Sequence, residues 1–187
     1  LLDIVHSNYN ESMGILLDFD EDKYEQIFHR EEVINYLNKE ISAFIIDSLA
    51  LPMDEETSSN FVSYMRISRD LERVGDHSKN IAEVAKLKNE EKLEFTDVAY
   101  QDLDKIDENI KEMLVALSCD LSKEERIQIT RSHFEKIEKY ATKFRLDHML
   151  RMREKYCDPE SGLIYEKTLT AMERISSYLS KAAKLAA

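Results

Sequence analysis

Chain breakers are the scarcest residues in this sequence: glycine occurs three times and proline twice in 187 residues. Sheets and irregular loops use both residues heavily to turn the backbone, so such a chain is restricted to long helices joined by short connections. Between Asp22 and Leu49 there is no breaker at all, and Ile27, Ile34, Ile41 and Ile45 form one apolar stripe at helical spacing. An earlier segment, about Leu1 to Leu17, ends in DFDED, whose acidic residues suit an N-cap for the second helix. Leu51-Pro52 and the acidic turn MDEETSS stop that helix, and a third is expected from about Ser59 to Lys88. After the polar interruption KNEEKLEF, Thr96 is placed to cap a helix reaching Leu117. Ser122 and Glu125 form a capping box that opens a fifth helix, expected to reach Tyr156. CDPESG breaks the chain again, and the last helix is expected from about Leu163 to the end.

Six segments fall into two triplets. Arg69 to Glu83, RDLERVGDHSKNIAE, lies over Thr170 to Lys184, TAMERISSYLSKAAK, with Glu72-Arg73 meeting Glu173-Arg174. In the middle helix of each triplet Ile34 pairs with Ile137, Leu37 with Tyr140 and Ile41 with Phe144. The expected fold is all-α, two tandem antiparallel three-helix bundles, one over residues 1–90 and one over 96–187.

The chain is acidic, with a formal net charge of −12. That balance opposes a nucleic-acid surface, which needs clustered Lys and Arg, and it suits cation binding. Cys119 and Cys157 fit no ligand spacing and read as reduced thiols in a cytoplasmic setting. No apolar run reaches the roughly 20 residues needed to span a bilayer, and no signal-peptide pattern opens the chain, so no direct membrane insertion is expected. The start at Leu1, in apolar-periodic sequence without methionine, is what a fragment of a longer protein would show.

The stretch RDLERVGDHSKNIAE is an expensive way to write a helix. Glycine costs about 1 kcal/mol relative to alanine in a helix interior, and Glu72 and Asp76, one turn apart, repel each other. On the second helix Glu31 falls on the apolar stripe, with Asn35 one turn on. If the two helices are antiparallel, Glu31 and Asn35 face Glu72 and Asp76 across a groove. Carboxylates gathered at an apolar seam are protonated, paired with Arg or Lys, or arranged round a cation, and an all-oxygen set suits Mg, Mn, Ca or iron. The plainer reading keeps Glu72 and Asp76 in salt bridges with Arg69, Arg73 or Lys79, has Gly75 admit a close helix, and leaves His77 partly exposed.

Leu71-Glu72-Arg73-Val74-Gly75-Asp76-His77, followed by Asn80-Ile81-Ala82-Glu83, resembles the signature of the PhoU family, regulators of phosphate uptake. The resemblance implies two three-helix bundles with Glu/Asp-x-x-x-Asp pairs on two helices of each, able to hold multinuclear metal clusters. Carried over, the metal motif falls on Glu31, Asn35, Glu72 and Asp76, with Asn35 standing where an Asp is usual. In the second bundle Glu173 remains, but Ser177 and Tyr178 replace the Asp and His, and the middle helix offers Glu138 beside Phe134, or Glu135 one residue away. Any metal, Mg, Mn or iron, is therefore expected in the first bundle. His148-Met149-Leu150-Arg151-Met152, with Cys157, Gly162 and Met172-Glu173-Arg174, resembles the tail of Na+/phosphate cotransporter proteins, in which a PhoU-like cytosolic domain follows the membrane part.

The resemblance implies a non-catalytic regulatory domain whose partner is the transmembrane part of a phosphate transporter, with a homodimer as a further expectation and no nucleic acid. The runner-up is a free-standing PhoU-like regulator of a transporter and its sensor kinase. A carboxylate-bridged di-metal enzyme needs Glu-x-x-His on two helices, and no Glu-x-x-His occurs here. Gly-rich phosphate loops and nucleophile elbows are absent as well.

Overall fold

The computed structural model describes residues 1–186. They form six helices: α1 Leu2–Leu17, α2 Glu21–Leu49, α3 Glu55–Glu90, α4 Asp97–Ser118, α5 Lys123–Arg153 and α6 Pro159–Leu185. Five start on a side-chain cap: Asp20, Asp54, Thr96, Ser122 and Asp158 each accept a hydrogen bond from a backbone N–H of the first turn. The Ser122–Glu125 capping box forms in both directions.

Three boundaries depart from the sequence reading, each for a local reason. α3 begins at Glu55 rather than Ser59 because Asp54 caps it, accepting from Thr57 N at 2.8 Å and from its hydroxyl at 2.8 Å. The acidic run read as a turn is thus the helix's own first turn, where carboxylates favour the positive end of the dipole. α6 begins at Pro159 rather than Leu163, since proline at the first helical position gives up no hydrogen bond. α5 stops at Arg153 because Lys155 turns into the left-handed region at φ 62°, and Tyr156 N then bonds back to Arg151 O at 2.9 Å. Lys92, at φ 52°, ends α3 in the same way.

α1 packs on α2 and α3, and α4 and α5 pack on α6, giving two three-helix bundles. α3 also lies along α6 and α1 touches α4, so the buried apolar residues make one cluster running through both bundles. Tyr9, Ile27, Ile34, Val74 and Ile81 fill it on one side, and Ile106, Ile110, Ile137, Met172 and Leu179 on the other. His77 of α3 and Tyr178 of α6, equivalent positions of the repeat, stack on each other with ring centroids 5.8 Å apart. Such a meeting is what a two-fold relation between the bundles produces where its axis passes between α3 and α6. Among the described residues, no helix is long and apolar enough to cross a membrane.

Candidate functional site

The α3 stretch that carries the sequence motif lines a groove of about 510 Å³ floored by α2 and closed by α6. Gly75 brings α3 close to α2 beneath this stretch. A Cβ there would meet Ile34 Cδ1 at 3.1 Å and Cγ2 at 3.2 Å, so the glycine lets α3 settle onto α2. Its helix cost is the condition for that approach.

Glu31 is drawn inward by its place on the α2 stripe and is 6% exposed. Its Oε1 accepts from Asn35 Nδ2 at 2.9 Å, and its Oε2 lies 3.5 Å from Lys79 Nζ. Lys79 also sits over the Phe28 ring, 4.8 Å from the centroid, which fixes the ammonium beside the carboxylate. On α3, Arg73 Nη1 donates to Asp76 Oδ2 at 3.1 Å and its Nε lies 3.6 Å from Glu72 Oε2. Burial pushes the Glu72 carboxyl above its ordinary range; Asp76 and Glu31 add to the rise, and Arg73 opposes it. His77 is half-buried and held below the ordinary imidazole value by desolvation, with Arg174 acting in the same direction and Asp76 against it.

Of the four residues singled out in the first bundle, Glu31 and Asp76 line the groove, Asn35 is bonded to Glu31, and Glu72 lies beside Asp76 through their shared Arg73. Each pair already has a cation from the chain, Lys79 for the first and Arg73 for the second. Among the described residues, no three His, Cys, Asp or Glu side chains group as metal ligands. As placed, the donor set does not fit a multinuclear cluster: one donor is an amide, and two basic side chains take up the charge a metal would neutralise.

The second bundle does not unite its pair. Glu138 is exposed on α5, whereas Glu173 of α6 is bound by Arg145, which also donates from Nε to Glu166 at 2.6 Å and from Nη2 to Thr170 at 3.1 Å. Arg145 thus takes up Glu173, the second bundle's counterpart of Glu72. Sequence reasoning missed it, although its place two turns beyond Glu138 on α5 was readable.

Residues 1–85 match the family model described as PhoU domain. A protein of Clostridium acetobutylicum described as "Phosphate-specific transport system accessory protein PhoU homolog" is 36% identical over 84 residues, covering 44% of this chain and 38% of that protein. The matched stretch is thus well under half of that relative's length. The fold is similar to the crystal structure of PhoU from Pseudomonas aeruginosa, with a TM-score of 0.89 and 19% identity over 98% of this chain and 88% of the other. It is similar also to the phosphate transport system regulatory protein PhoU from Streptococcus pneumoniae, with a TM-score of 0.84 and 21% identity over 98% and 86%. Residues 1–85 thus match the PhoU domain model, and the six helices have the fold of the solved PhoU proteins.

Proposed function

We propose that this chain is a non-catalytic accessory regulator of a phosphate transport system, acting on the cytoplasmic side by binding to the transporter. The observation that carries this reading is the placement of the PhoU motif. Its polar residues line a groove between α2, α3 and α6, where Arg73, Lys79 and Arg174 balance the carboxylates Glu31, Asp76 and Glu83. That is an arrangement for recognition, since no carboxylate there is paired with a nucleophile or a general base of opposite role.

The relatives support a separate accessory protein better than a symporter's cytosolic domain, because the proteins matched are described as PhoU and as an accessory protein. The test is cross-linking in membranes of the source cells grown on limiting phosphate, followed by mass spectrometry. Cross-links from α2 or α3 to a phosphate-transporter subunit are expected. Cross-links within one polypeptide that also holds transmembrane helices would favour the symporter form, and none to any transporter would overturn the reading.

A further inference from the structure

Beyond the motif groove, α3 and α6 carry a second feature that the acidic composition does not lead one to expect. Arg66, Arg69 and Arg73 fall on one face of α3, at i, i+3 and i+7, and Lys181 and Lys184 fall on the adjoining face near the end of α6. The two helices run antiparallel here: residues 66 to 73 lie beside 178 to 185, whereas Val84 and Leu87 share a groove with Leu163 and Ala171. The two basic rows therefore line one groove of about 590 Å³, with Tyr178 at one end and a single carboxylate, Asp70.

All five cations are exposed, and of them only Arg73 makes a salt bridge among the described residues, to Glu72 and Asp76. Asp70 is half-buried beside Lys181 and Arg69 and cannot balance the four cations that Glu72 and Asp76 do not pair. In a chain of net charge −12, Arg66, Arg69, Lys181 and Lys184, which make no salt bridge among the described residues, leave this groove locally positive, a surface that attracts anions.

We propose that this groove binds a short, multiply charged oligophosphate. The shape and charge select that class. The α3 row is about 10 Å long at 1.5 Å per residue, which matches a few linked phosphoryl groups better than a single ion. Guanidinium groups on one wall give bidentate contacts to phosphate oxygens, and the ammonium groups opposite give point charges. Carboxylates bound one end: Asp76 follows Arg73 on α3, and Glu83 and Glu166 lie further along the same seam. The rest of the acidic surface repels a long polyanion, so a short chain fits where nucleic acid does not. The binding claim rests on the groove alone; its use as a signal of phosphate status rests on the regulatory reading above.

The test is titration calorimetry on the 187-residue chain in metal-free buffer, with tripolyphosphate, pyrophosphate and orthophosphate. The same titrations are run on Arg69→Gln/Lys181→Gln and on a control pair of equal charge change on α5, Lys136→Gln/Lys139→Gln. Saturable binding is expected, tightest for tripolyphosphate, with about tenfold or more loss in the groove variant and little change in the control. All four positions are exposed, so folding is preserved, and circular dichroism checks it. Equal loss in both variants, or no binding of tripolyphosphate at millimolar concentration, would overturn the proposal. Sedimentation with vesicles carrying anionic phospholipid separates a free phosphate chain from a lipid headgroup: binding to vesicles without binding to tripolyphosphate counts against the groove as an oligophosphate site. Failure here with transporter cross-links intact would remove the groove and leave the regulatory reading standing.

Discussion

At the scale of single residues, the motif's expense is explained by contact. Gly75 gives up helix propensity so that Ile34 can lie against it, and Ile34 is fully buried with nowhere to retreat. Gly75→Ala is expected to destabilise by about 1 kcal/mol, an overpacking penalty partly offset by better helix propensity. Adding Ile34→Val, which removes the nearer methyl, should recover part of that loss; urea denaturation of the single and double variants measures it. A gain in stability from Gly75→Ala alone would show that the approach is looser than described. The carboxylate pairs lead to a second expectation. Because Lys79 pairs with Glu31 and Arg73 is shared by Glu72 and Asp76, added Mg or Mn should bind weakly to the wild-type chain, and Lys79→Gln/Arg73→Gln should bind either ion more tightly, as read by calorimetry. Tight, stoichiometric binding by the wild type, lost in Glu72→Ala/Asp76→Ala, would restore the cation site that spacing and motif suggest.

Helix ends and helix–helix ties belong to the next scale. α3 and α5 both end through a lysine in left-handed conformation, a position where glycine carries no penalty. Lys155→Gly is therefore expected to stabilise by about 1 kcal/mol, the strain of a side chain at positive φ; thermal unfolding measures it. Between bundles, Tyr9 of α1 donates to Asp107 of α4 at 2.7 Å, and Lys111 lies 2.6 Å from the other carboxylate oxygen. Burial and the adjacent Asp107 hold the Tyr9 hydroxyl protonated well above its ordinary range. Tyr9→Phe should destabilise by about 1 to 2 kcal/mol, because it leaves a buried carboxylate short of one donor. Caps were legible where a cap residue comes after a plain break, as at Thr96 and Ser122. They were not at Asp54 and Asp158, because Asp, Glu and Pro favour both a turn and a helix's first turn, and only the conformation of the next few residues decides between them.

Across the whole molecule, three histidines, His77, His133 and His148, are held below the ordinary imidazole value, chiefly by desolvation. In the unfolded chain they take up protons near pH ~6.5, and in the folded chain only at lower pH. The unfolded state therefore binds more protons as pH falls, and stability is expected to drop from pH ~7.5 through ~6. Half-buried Asp70 and Glu72 and buried Asp102, whose carboxyls are raised, act in the opposite sense, regaining stability as pH approaches the carboxylate range. His148 lies 3% exposed against Tyr165, with Arg151, Asp102 and Glu166 around it, so His148→Gln should flatten the drop in urea midpoint between those pH values. The two triplets and their order were readable from breakers and from the repeat. What local spacing could not supply was the long contact of α3 with α6, because both helices have apolar residues on more than one face. The claims of Arg73, Lys79 and Arg145 on the carboxylates are likewise tertiary: spacing makes the pairs available, and packing chooses among them.

The central claim, regulation of phosphate uptake without chemistry of its own, is tested most directly by radiolabelled phosphate uptake in source cells lacking the gene, across limiting and abundant external phosphate. Deletion is expected to blunt the adjustment of uptake to supply, and the wild-type gene returned on a plasmid should restore it. Uptake that adjusts normally without the gene would contradict the account.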